Sequence, residues 1–172
     1  IVTVVIVSLA LMNISGVTLS KIVNNIVTIA KLLPLLLFVL IGFFAINGNN
    51  FTPLFPGGTY HSGAFAAAAV LLFYAFTGFE GLVVAAGDMR KPEKNLPRAI
   101  LLVIVIVTVF YILLQVVSIG ILGQHLSAST APIQEAFGKI AGNFGTSLVA
   151  AGTIISIGGI CVASSFITPR SG

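Results

Sequence analysis

The stretch Phe73–Ile100, FYAFTGFEGLVVAAGDMRKPEKNLPRAI, decides how the rest of the chain is read. Its first half is apolar apart from Thr77 and a carboxylate, Glu80, set between Gly78 and Gly81. Its second half gathers Asp88, Arg90, Lys91, Glu93, Lys94 and Arg98 into a short segment between two apolar runs. Four of the eight basic residues fall within 90–98, the pattern of a cytoplasmic loop under the positive-inside rule. Downstream follows AILLVIVIVTVFYILLQVVSIGILG (99–123), without one charge and long enough for the roughly 20 residues a helix needs to cross hydrocarbon.

Working outward, the same economy of charge holds along the whole chain. Its 172 residues include 8 basic and 4 acidic ones, 7% in all, with 58% hydrophobic residues and a mean hydropathy of +1.16. Ordinary soluble domains carry about 25% charged residues. This composition excludes a soluble globular enzyme, a disordered chain and a nucleic-acid module, despite a pI near 9.6. Residues 32–79, 99–134 and 140–169 contain no Asp, Glu, Lys or Arg, room for at least four spans with their loops. The apolar runs far exceed the ~10-residue alternation of a membrane barrel, which leaves an all-α polytopic membrane protein.

The breaks between runs give the expected segments. Residues 1–12 are the end of a helix, closed by Asn13, Ser15 and Gly16. A long helix covers 17–46, with Lys21 and Lys31 in its first half and Pro34 inside it. Residues 47–63 form an uncharged Gly/Pro/Asn loop on the outer side. The next helix covers 64–88, with glycines around a mid-span carboxylate, the recipe for a broken helix. Residues 89–98 are the cytoplasmic loop, 99–123 a clean span, 124–141 an outer loop with a short helix after Pro132, and 142–168 the last span. The run at the N-terminus has no basic region and no cleavage site, so no signal peptide is read, and both ends read as cuts through a longer protein.

The aromatic-Ala-aromatic-x-Gly-aromatic-Glu core at 74–80 and the DMRKPEKNLPRAI loop resemble the sixth helix and following loop of amino acid permeases in the amino acid–polyamine–organocation (APC) superfamily. TIAKLLPLLLFVLIG (28–42) is similar to their fifth helix, and the Gly-rich span ending at Pro169-Arg170 to their eighth. The resemblance implies a LeuT-like fold of five-plus-five inverted repeats, with this chain running from the end of helix four to helix eight. It implies a secondary transporter, working by alternating access through sodium-independent exchange or proton coupling on neutral or small amino acids.

What the resemblance implies for single residues can be set beside their own physics. A broken helix in hydrocarbon persists where its freed carbonyls and N–H groups meet a polar ligand. A carbonyl end favours an ammonium, an N-terminal end a carboxylate. The resemblance places the substrate at Tyr74, Ala75, Phe76, Thr77, Gly78 and Glu80, with carbonyls around Tyr74, Ala75 and Thr77 receiving the ammonium and Tyr74 as the gate. The plain alternative is that Tyr74, Phe76 and Phe79 are packing aromatics. Glu80, an ionisable group at membrane depth, reads either as a proton-exchanging carboxyl or as a cap on the second half-helix. Lys31 lies about 13 Å along its helix from the expected membrane entry near Ile22, where it could snorkel to the interface. The resemblance instead gives it the place of a sodium ion in sodium-coupled relatives, with Ser156 as its partner on the last span and Ser164 and Ser165 as alternatives. All three serines could equally bond back to their own helix.

Other residues carry less. His61 and His125 are read as solvated loop histidines, and Cys161 as core packing. No Ser/His/Asp or Cys/His set, metal cluster or phosphate-binding loop is found, so no catalytic residue, cofactor or metal is expected and the chain is not read as an enzyme. The expected partners are an amino acid, protons, the lipid bilayer and the remaining helices of the same transporter, with no nucleic acid, in the plasma membrane. Two other readings stay open: a cationic amino acid or amine antiporter of the same superfamily, and a non-transporting membrane scaffold subunit. A channel would need a polar pore-lining stripe, which is not visible.

Overall fold

The computed structural model describes residues 17–52, 62–78, 89 and 91–167. These residues are all-helical: α1 (Val17–Phe43), α2 (Ser62–Ala75), α3 (Pro92–Leu122) and α4 (Pro132–Ile167), with short 3-10 turns at Gly48–Phe51 and Gly123–Ala128. Among the described residues three helices are long and apolar enough to cross a membrane, on α1, α3 and α4. In lipid the helix keeps every backbone group paired within its own segment, which is why such runs fold this way.

Several boundaries differ from those read in the sequence, each for a local reason. α1 stops at Phe43 rather than 46, where Phe44 and Ala45 donate to Ile41 and Gly42 and turn the chain. α2 begins at Ser62 rather than 64, and the loop before it holds the Gly48–Phe51 turn, whose cap Asn47 accepts from the Asn49 N–H at 3.1 Å. α3 begins at Pro92, so most of the expected 89–98 loop is helix. Proline at the first helical position needs no N–H partner, Glu93 suits the first turn, and the Lys91 carbonyl accepts from both Lys94 and Asn95. Lys91 itself has φ 52 and ψ 61, a left-handed conformation, at the cap position just before that proline.

α4 starts at Pro132 and runs through 142–167 as one element bent at an elbow. Gly142 has φ 59 and ψ −143, a conformation that side chains resist and glycine accepts. The arm 132–141 thereby folds over the head of the span, and Phe137 is fully buried, edge-on to Phe38 of α1 at 5.7 Å.

Packing concentrates at this end, the apex. Phe38, Val39, Leu114, Val117, Leu122, Ala136, Phe137 and Val149 form the buried core. The turn after α1 is pinned to the end of α3, since the Gly120 carbonyl accepts from the Asn47 N–H at 3.0 Å and from Asn50 Nδ2 at 2.7 Å. Both of its lone pairs are thus filled, one of the orphan groups every helix end must place. Away from the apex most apolar side chains point outward, as lipid or further helices allow. Among the described residues Cys161 is exposed on α4 rather than packed in the core at the apex.

α1 packs mainly against α4, antiparallel, and the seam depends on small residues. A Cβ on Gly152 would sit 2.8 Å from Pro34 Cγ, and one on Gly159 would collide with Val27. Without a hydrophobic drive between helices in lipid, such close approach is what holds a pair together. Gly152→Val should therefore lower the melting temperature of the purified full-length protein, at about 1–3 kcal/mol for an overpacked site. Gly158→Ala, with nothing within 4 Å, should leave it level or raise it. Equal melting temperatures for the two variants would contradict the seam.

Candidate functional site

Below the apex the three spans diverge and leave a cleft of about 670 Å³. α1 contributes Lys31, Pro34 and Leu35, α3 contributes Ile106, Phe110 and Tyr111, and α4 contributes Val149, Gly152, Thr153 and Ser156. The geometry follows from the seam. Pro34 meeting Gly152 sets the register, and one turn further from the apex the same antiparallel pairing brings Lys31 and Ser156 to one wall. Both are half-buried, and no direct hydrogen bond joins them among the described residues. The other hydroxyl on α4's side of the cleft is already committed: Thr153 Oγ1 donates to the Val149 carbonyl at 2.9 Å, closing on its own helix.

The second group of expected site residues lies at the end of α2. The helix stops at Ala75, and Phe76, Thr77 and Gly78 form a turn with Gly78 at φ 107. The Tyr74 carbonyl accepts from Thr77 twice, from its N–H at 3.1 Å and from Oγ1 at 2.8 Å. Tyr74, Ala75, Thr77 and Gly78 are exposed and Phe76 is half-buried. Glu80, Phe79 and the rest of the expected broken helix lie outside the described residues, as do the side chains of Ser164 and Ser165 and the whole of His61. His125 is exposed on its 3-10 turn.

One residue joins the two groups, and the sequence reading passed over it. Tyr111 of α3 lines the cleft and donates its hydroxyl to the Ala75 carbonyl at 3.0 Å, while Phe76 packs edge-on to its ring at 5.5 Å. Its signal was present: within 99–123 it is the one aromatic with a polar handle, and a buried or half-buried tyrosine hydroxyl usually has a partner.

Three apolar spans around a polar-edged cleft define an α-helical integral membrane protein. The amino acid permease family model matches residues 1–171, and the chain belongs to that family, a family of transporters rather than enzymes. It is 36% identical over 107 residues to the branched-chain amino acid permease BcaP of Bacillus subtilis, covering 62% of this chain and 22% of that one. It is 31% identical over 170 residues to the serine/threonine exchanger SteT of the same organism, covering 94% and 37%. A methylthioribose transporter, also from Bacillus subtilis, is 26% identical over 155 residues, covering 90% and 33%. The chain thus spans between about a fifth and two fifths of these relatives' lengths.

The cleft geometry can be checked chemically. In the full-length protein with Cys161→Ser, the pair Lys31→Cys and Ser156→Cys should be joined rapidly by a short bifunctional thiol reagent. Lys31→Cys with Ile154→Cys, a position 72% exposed and off the cleft wall, should react far more slowly. Equal rates for the two pairs would contradict the shared wall.

Proposed function

We propose that the full-length protein is a secondary amino acid transporter of the LeuT-like inverted-repeat fold, and that this chain supplies the stretch from the end of helix four to helix eight. The observation that carries the proposal is the meeting of Lys31 and Ser156 on one cleft between α1 and α4. A lysine ammonium fixed in that seam supplies the positive charge that a coupling cation would otherwise bring, so transport proceeds without sodium, by exchange or with protons. The substrate ammonium is received at the carbonyls around Tyr74, Ala75 and Thr77, Phe76 and Gly78 shape that turn, and Tyr74 closes over the site. A helix end carries carbonyls outside the intrahelical ladder; here that of Tyr74 is taken up by Thr77, and that of Ala75, which accepts one bond from Tyr111, is the one the ammonium is proposed to meet. The end of α2 at Ala75 supports this, whereas a non-transporting scaffold would gain nothing from stopping an apolar helix there.

The cargo is a neutral amino acid. Two of the three relatives described above are named for such cargo, branched-chain in one case and serine or threonine in the other. No acidic side chain lies on the described cleft wall to select a cation. The 89–98 segment faces the cytoplasm of a plasma-membrane protein, by the concentration of basic residues there.

Uptake of radiolabelled leucine and serine by the full-length protein in proteoliposomes tests the site. Lys31→Ala and Tyr74→Ala should each lower uptake about tenfold or more, equivalent to about 1.4 kcal/mol. Thr153→Val should leave it within about twofold, since that hydroxyl is spent on its own helix. Wild-type kinetics in both of the first two variants would remove the assignment.

A further inference from the structure

We propose that Tyr111 is a positioning residue for the substrate ammonium: its hydroxyl holds the Ala75 carbonyl in place and ties the end of α2 to the wall of the Lys31 cleft. The inference rests on the transport reading above and adds to it a residue from a span that reading leaves without a role.

The end of α2 offers two carbonyls in the expected binding turn, and they are held differently. That of Tyr74 is engaged locally, by the N–H and hydroxyl of Thr77, within three residues of chain. That of Ala75 is engaged from another span, by a hydroxyl 36 residues away at 3.0 Å. A local bond follows the turn wherever it goes. A bond from α3 fixes the turn relative to the cleft. Phe76 reinforces it, edge-on to the same ring at 5.5 Å and 74°. The phenol therefore has a polar end on Ala75 and an apolar flank on Phe76, and its ring lines the cleft that Lys31 and Ser156 also line. An ammonium approaching the Ala75 carbonyl meets an oxygen whose direction is already set, so less ordering remains to be done on binding. The same bond gives the α2 end and the α1–α4 seam a shared wall, so that movement at one is felt at the other.

The test uses the full-length protein, with Tyr111→Phe, which keeps the ring against Phe76 and removes only the hydroxyl. For radiolabelled leucine or serine, whichever the wild type carries, KM should rise about three- to tenfold, the net worth of one hydrogen bond. The maximal rate should stay within about twofold, and the melting temperature should not fall. A merely structural role would lower the melting temperature or the maximal rate and leave KM alone, and that result overturns the proposal. KM within twofold of wild type overturns it as well. If Tyr111→Phe shows no uptake, equilibrium binding of the same labelled amino acid to the purified variant decides: a Kd raised by a similar factor supports the role, an unchanged Kd overturns it. Failure of the wild type itself to carry either amino acid would instead overturn the transport reading. Normal wild-type uptake with an unaltered Tyr111→Phe variant removes the positioning role alone.

Discussion

The close approach of α1 and α4 is the constraint from which the rest follows. Two small residues on one helix, Gly152 and Gly159, admit Pro34 and Val27 of the other, and this sets both the distance and the register of the antiparallel pair. Once the register is set, Lys31 must face the same space as Ser156, and α3 must lie across the open side. The proline is part of the arrangement. It removes a backbone donor from α1 just past Lys31 and presents a flat ring to a glycine, which a bulkier pair could not match at that separation. A charged side chain in a membrane span is costly wherever it meets lipid, so a seam that turns the lysine inward also makes its retention tolerable.

The apex makes the seam durable. The arm 132–141 bends back at Gly142 and plugs Phe137 against Phe38, while the turn after α1 fills the last acceptors of α3 through Asn47 and Asn50. The ends of α1, α3 and α4 are thereby fastened to one another there, and the cleft opens below them. α2 stands outside this cluster and reaches it through Tyr111. Among the described residues, α1, α3 and α4 pack on one another at the apex, while the end of α2 meets them through Tyr111 and Phe76.

Much of this was legible in the sequence. The spans are marked by uncharged runs, and the lysine by its isolation within one. Lys31 and Ser156, which the resemblance pairs, both line the cleft, and their pairing is part of the proposed function. Other features were hidden for physical reasons. Pro92 and Pro97 read as loop residues, yet proline also opens helices, and α3 takes in both. Gly142 was one glycine in a glycine-rich run, and only its backbone angles single it out as an elbow. Tyr111 was concealed by the apolar residues around it. Its importance depends on a carbonyl 36 residues away, and no periodicity within one helix can reveal such a partner.

The central claim is that Lys31 supplies, as a fixed part of the protein, the charge that a sodium ion would supply in a cation-coupled carrier. Uptake of labelled leucine and serine into proteoliposomes containing the full-length protein, measured with sodium present and with sodium replaced by choline, tests it most directly. The account predicts the same initial rate in both media. A strict requirement for sodium would contradict it.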